Sequence, residues 1–112
     1  MDSRMLTGRE RAVLEALLAV DFDGAPALRG QAAGVRVVGG CGCGCPSIEF
    51  VAGGVGMRPR VNAFPDGSYS SLFLYTMVDA GGVEVLGGIE WAGIDESPDQ
   101  FPPPGSLTLE AA

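Results

Sequence analysis

The chain contains no lysine and no histidine, and all seven of its basic residues are arginine. No imidazole is therefore available as a general base or as a metal ligand. Without an ε-amine there is no Schiff-base chemistry and no phosphate-loop lysine. Most familiar catalytic constellations are thereby excluded. Exclusive use of arginine alongside abundant Gly, Ala and Val matches coding bias in a GC-rich genome. There is also no long hydrophobic run. Ala16-Leu17-Leu18-Ala19-Val20 falls far short of the ~20 apolar residues that span a bilayer. It follows Glu10 and Glu15 and has no cleavage-like site after it, so neither a signal peptide nor a membrane partner is expected.

Positive charge is missing from the whole second half. Residues 1–60 carry seven arginines against six acids, whereas residues 61–112 carry eight acids and no base, within a net charge of −7. A basic footprint for nucleic acid is absent. An acidic half can steer a basic protein partner, or simply keep the chain in solution.

At 112 residues, with 46% hydrophobic content, the sequence predicts one domain over 1–112 with its own core. Thr7 and Glu10 have capping-box spacing, and Val13, Leu14, Leu17 and Leu18 form one apolar stripe, predicting a helix over 8–20. A second helix is expected from Pro26 to Ala33 after the Asp21–Gly24 break, with Leu28 and Ala32 inward and Arg29 facing solvent or paired with Asp21 or Asp23. Val35–Val38 and Pro46–Val51 read as strands of a hairpin. Residues 52–67 read largely as loop, with Val61–Phe64 as an edge strand. Leu72–Val78, the turn Asp79–Gly82 and a strand from Val83 to Trp91 make the clearest hairpin. In that last strand Val83, Val85, Ile89 and Trp91 share one face, and Gly87-Gly88 suggests a bulge or a close backbone approach. From Asp95 the chain becomes an extended, Pro-rich arm over 95–112, anchored by Phe101. The competing reading of Pro102–Pro104 is a ligand for a proline-recognising domain, which the lack of PxxP spacing outside the triplet disfavours. The Ser106–Leu109 segment either adds a short strand or frays. The fold class is α+β: two N-terminal helices packed on one antiparallel sheet of four to five strands.

All three cysteines lie in Cys41-Gly42-Cys43-Gly44-Cys45, the expected hairpin connection. Thiolates suit zinc and other thiophilic metals. An extended backbone would set alternate Cα atoms about 6.6–6.8 Å apart, too far for sulfurs around one ion, so a metal site needs a curl at the glycines. It also needs a fourth ligand that no further Cys or His supplies. A small, strained disulfide within the run is the redox version of the idea. The structural version packs the cysteines as small hydrophobes. An odd cysteine count favours a reducing cytoplasm over a secreted framework. The carboxylate pairs Asp21/Asp23 and Asp95/Glu96 have no sequence context that marks them as acid and base.

The Thr-capped leucine helix, the segment Asp21-Phe22-Asp23-Gly24-Ala25-Pro26, and Cys41-Gly42-Cys43-Gly44-Cys45-Pro46-Ser47 together resemble small uncharacterised proteins of high-GC bacteria. The resemblance covers about the first 50 residues. It implies a bacterial cytoplasmic origin and no particular activity. The sequence thus points to a small non-enzymatic binding or accessory protein, an immunity-like role among those that fit its size and charge, that uses its acidic C-terminal half to meet a protein partner or a second copy. The alternative is a thiolate metal-binding or redox module on Cys41, Cys43 and Cys45, holding zinc or another thiophilic metal.

Overall fold

The computed structural model describes residues 3–40, 42, 44–94 and 97–112. The helices are α1 (Gly8–Leu18) and α2 (Ala25–Ala32), and the strands are β1 (Gly39–Gly40), β2 (Ile48–Glu49), β3 (Val55–Pro65), β4 (Ser71–Val78), β5 (Glu84–Ala92) and β6 (Leu107–Ala111). All six strands join one antiparallel sheet in the order β1-β2-β5-β4-β3-β6.

The capping box forms in full. Thr7 Oγ1 accepts from the Glu10 N–H, and the Glu10 carboxylate accepts from the Thr7 N–H at 2.8 Å. Val13, Leu14, Leu17 and Leu18 are all buried, so the apolar stripe is the inward face. The helices finish each other. Arg29 of α2 donates to the Leu18 and Val20 carbonyls at the end of α1, and Arg11 of α1 donates to the Ala32 carbonyl at the end of α2. Cations over C-terminal carbonyls satisfy orphan acceptors and oppose the negative end of the dipole. Arg29 also pairs with Asp21, at 3.5 Å.

The helix stripe joins Val61, Ala63, Leu72, Leu74, Leu86, Ile89, Trp91, Ile48 and Phe50 in one core. Registered pairs show why these share a face: Leu74 lies between Val61 and Ile89, and Leu72 lies between Ala63 and Trp91. Phe101 is fully buried in the same core, and its carbonyl accepts from Arg9 at 2.8 Å. The arm is therefore anchored as expected at Phe101.

Three expectations are corrected. The sheet has six strands rather than four to five. The segment 52–67 is not a loop: Val55–Pro65 forms the longest strand, and Val61–Phe64 is interior, between β4 and β6. Glycines and prolines hide this strand. Gly54 and Gly56 take positive φ at its start, two irregularities break its period, and Pro59 sits where only β4 pairs with it. The first hairpin strand is Gly39–Gly40 rather than Val35–Val38, and Val37 makes an isolated bridge to Arg4 instead. Of the two outcomes open to Ser106–Leu109 the strand forms, as Leu107–Ala111 pairs with β3.

The Gly87-Gly88 bulge is present, with a consequence for facing. Tyr75 pairs with Gly88 and Thr76 with Leu86, so Gly87 is the extra residue. The alternation flips there. Leu86 rather than Val85 joins Ile89 and Trp91 in the core, while Val83 is 55% exposed.

The free edge of β5 is completed piecemeal. Gln31 of α2 accepts from the Leu86 N–H and donates to the Glu84 carbonyl. Phe50 N–H donates to the Gly87 carbonyl, and Ser47 Oγ accepts from the Trp91 N–H at 2.8 Å. Two side chains thus extend a ladder that β2 alone is too short to cover.

Candidate functional site

The hairpin β1–β2 forms around the cysteine run, placing residues 41–47 as its connection. Cys41 and Cys43 lie outside the described residues. Cys45 is partly buried against the core, and its thiol donates to Ser47 Oγ at 3.4 Å. That packing suits a small hydrophobe with a weak donor. Among the described residues, no group of three or more Cys, Asp or Glu stands close enough to hold a metal ion. Asp95 and Glu96 also lie outside the described residues, and Asp21 and Asp23 are exposed.

The acids of the second half do three different things. Asp79 serves its turn, its carboxylate accepting from the Gly81 and Val83 N–H groups. Glu84 turns inward and accepts from Thr76 Oγ1 at 2.5 Å, with Arg60 Nη1 at 3.4 Å. Arg60 is the extra residue of a β3 bulge, 5% exposed, with its guanidinium 5.1 Å from the Phe22 ring centre. An arginine stacked on an aromatic and facing a carboxylate can be held inside a small core. Glu90 and Glu110 belong to the third group. They share the face of Asn62 and Phe73, opposite the helices. Glu49 of β2 joins them through its register with Gly88 and Tyr75.

Among the described residues, no helix covers this outer face. It carries Phe64 at 39% exposure, half-buried Phe73, Met77 and Val85, and buried Tyr75. Its registered positions hold three carboxylates and no arginine. Tyr75 lies flat over the bulge. A Cβ at Gly87 would sit 2.7 Å from its ring carbons, so the glycines create the seat for the ring. The Phe73 ring stands 6.1 Å away, tilted by 56°.

A cleft of about 470 Å³ opens where β2 ends, lined among others by Glu49, Glu90, Tyr75, Trp91, Ile89 and Ser47. Tyr75 is only 7% exposed, and its hydroxyl finds no hydrogen-bond partner among the described residues. Burial pushes the phenol pKa up, and the Glu49 and Glu90 carboxylates push it the same way. A larger open cleft of about 940 Å³ separates the N-terminal segment from β1 and the arm, with Arg4, Glu10, Cys45 and Phe101 among its walls. Arg4 and Glu10 neutralise each other there, with a guanidinium nitrogen 2.8 Å from a carboxylate oxygen.

The sequence marked Gly87-Gly88 as a close approach but not Tyr75 as the group approaching. That needed the β4–β5 register. Arg60 was equally hidden, because an arginine directly after a proline in a glycine-rich stretch looks like a loop residue. Among the described residues, no helix is long and apolar enough to cross a membrane. No protein-family model, curated protein or solved structure matches the chain.

Proposed function

We propose that this chain is a small, non-enzymatic cytoplasmic binding protein, of the accessory or immunity-like kind, which meets a basic protein partner with its acidic C-terminal half. The observation that carries this reading is the outer face of the sheet. Half-exposed Phe64, Phe73, Met77 and Val85 share that face with Glu49, Glu90 and Glu110. Apolar and aromatic surface at the centre with charge around it is the composition of a recognition patch. Lack of histidine and lysine supports the non-enzymatic side.

The test is affinity capture from the source cells at low and high salt, with wild type beside a Phe73→Asp, Met77→Asp variant whose fold is checked by circular dichroism. A stoichiometric basic partner, weakened by salt and lost by the variant, supports the reading. Absence of any such partner, or one equally retained by the variant, overturns it.

A further inference from the structure

The outer-face cleft has a more specific chemistry than a general acidic patch. We propose that the cleft walled by Tyr75, Glu49 and Glu90 receives an arginine or lysine side chain projected by a basic segment of a protein partner. This deepens the binding-protein reading above and rests on it for the identity of the partner as a protein.

Three observations converge. First, the Tyr75 hydroxyl is an acceptor held in a side chain more than nine-tenths buried, it borders the cleft, and it has no partner among the described residues. Secondly, the Glu49 and Glu90 carboxylates line the same cleft as that phenol, and both act on it electrostatically. Carboxylates and a phenol oxygen are acceptors at working pH, and an incoming cation carries only donors. Thirdly, the remaining lining includes the exposed fringe of Trp91 and partly buried Cys45, beside Gly40, Ser47, Gly93 and Ser97. An arginine or lysine stem is an alkyl chain that favours the Trp91 fringe while its head stays with the acceptors. A volume of about 470 Å³ accommodates such a side chain with part of its neighbours.

A second copy of this chain fits the cleft poorly. Arg4, Arg9, Arg11, Arg29, Arg36 and Arg60 are engaged in internal ion pairs or hydrogen bonds. Only Arg58 is left among the described residues, and two copies of net charge −7 repel. The complementary charge has to come from elsewhere.

The probe is the peptide acetyl-Ala-Arg-Phe-Arg-Ala-amide, with a control in which citrulline replaces both arginines. Citrulline keeps the shape and removes the charge. Trp91 is the only tryptophan and lines the cleft, so its fluorescence reports occupancy. Saturable binding is expected for the arginine peptide, weakened roughly tenfold or more by citrulline and by the Glu49→Gln, Glu90→Gln pair. Tyr75→Phe keeps the ring over the glycines and should weaken binding about threefold, reflecting one lost acceptor. Melting curves of each variant confirm that the fold is kept. Equal binding of both peptides, full binding by the double variant, or no saturation of wild type at low millimolar peptide overturns the assignment. The two readings fail separately. A cellular partner held equally by wild type and the double variant removes the cleft and leaves the binding protein. A charge-dependent peptide response without any cellular partner does the reverse.

Discussion

Replacing Gly88 with alanine is expected to detach β2 from β5, whereas the same change at Gly87 should be milder and repairable. The atoms nearest a Cβ at Gly87 would be side-chain atoms, the Tyr75 ring at 2.7 Å and Met77 Cγ at 2.8 Å. A Cβ at Gly88 would meet the Tyr75 hydroxyl oxygen at 2.6 Å and also the Ile48 backbone carbonyl, inside 3.0 Å. Ile48 belongs to a two-residue strand whose registered pairs with β5 are Ile48–Ile89 and Glu49–Gly88. Moving its carbonyl away dismantles that pairing. Overpacking costs about 1–3 kcal/mol where side chains can shift, so Gly87→Ala should cost about 1–2 kcal/mol. Gly88→Ala adds lost ladder hydrogen bonds and should reach about 3 kcal/mol or more. For a chain of this size that corresponds to melting-temperature drops of about 4–8 °C and about 12 °C respectively. The discriminating measurement is a pair of double-mutant cycles with Tyr75→Ala, read by urea unfolding. Removing the ring should relieve most of the Gly87→Ala penalty and little of the Gly88→Ala penalty. Equal relief of both, or a harmless Gly88→Ala, would refute the backbone argument.

Phe101→Ala removes a fully buried ring from the core and should cost about 3–5 kcal/mol in chemical denaturation, with β6 losing amide-exchange protection first. Glu84→Gln leaves Arg60 buried without its counter-charge. Because Glu84 is itself 34% exposed, the expected loss is about 2–3 kcal/mol rather than the ~3–5 of a fully enclosed pair, with partial recovery when Arg60→Met is added. The bidentate hydrogen bonds from Arg4, more than the Thr7 backbone donor, hold the Glu10 carboxyl below its ordinary range despite partial burial. Its stabilising contribution is therefore complete above the unfolded value of about 4.3, and lost as pH falls through the lower folded value. Glu10→Gln should flatten the acid limb of stability against pH and leave the alkaline limb unchanged. On that alkaline limb, stability from Tyr75 should be complete below the ordinary tyrosine pKa of about 10 and fall as pH rises through the raised folded value. Tyrosinate absorbance in a Tyr69→Phe background isolates this group.

Local signals are legible in the sequence where one residue type serves one purpose. The Thr7–Glu10 box, the leucine stripe of α1, the Asp79 turn and the Phe101 anchor each depend on neighbours close in sequence or on sheer apolar bulk. β3 was opaque because its strand character comes from β4 and β6, which override Gly56, Pro59 and Pro65. Inside β5 the glycine pair announced the bulge, but the swap of Val85 for Leu86 follows from which single residue is extra, and that depends on register. The acidic bias was visible as a sum. Its division into a turn carboxylate, an inward ion pair and an outer-face group required the sheet.

Pairing of β3 with β6 also has a consequence for how the chain is made. Synthesis runs from the N-terminus, so β3 and β4 emerge well before the residues that cover the far side of β3. During that interval Val61–Pro65 presents an unpaired edge to whatever is nearby. Pro59 and Pro65 bracket it, and neither can donate a hydrogen bond to an intruding strand. These prolines, which obscure the strand in the sequence, guard it in the nascent chain. Exchanging Pro59 for a good strand former should leave the finished fold in place while lowering the yield of soluble protein during synthesis.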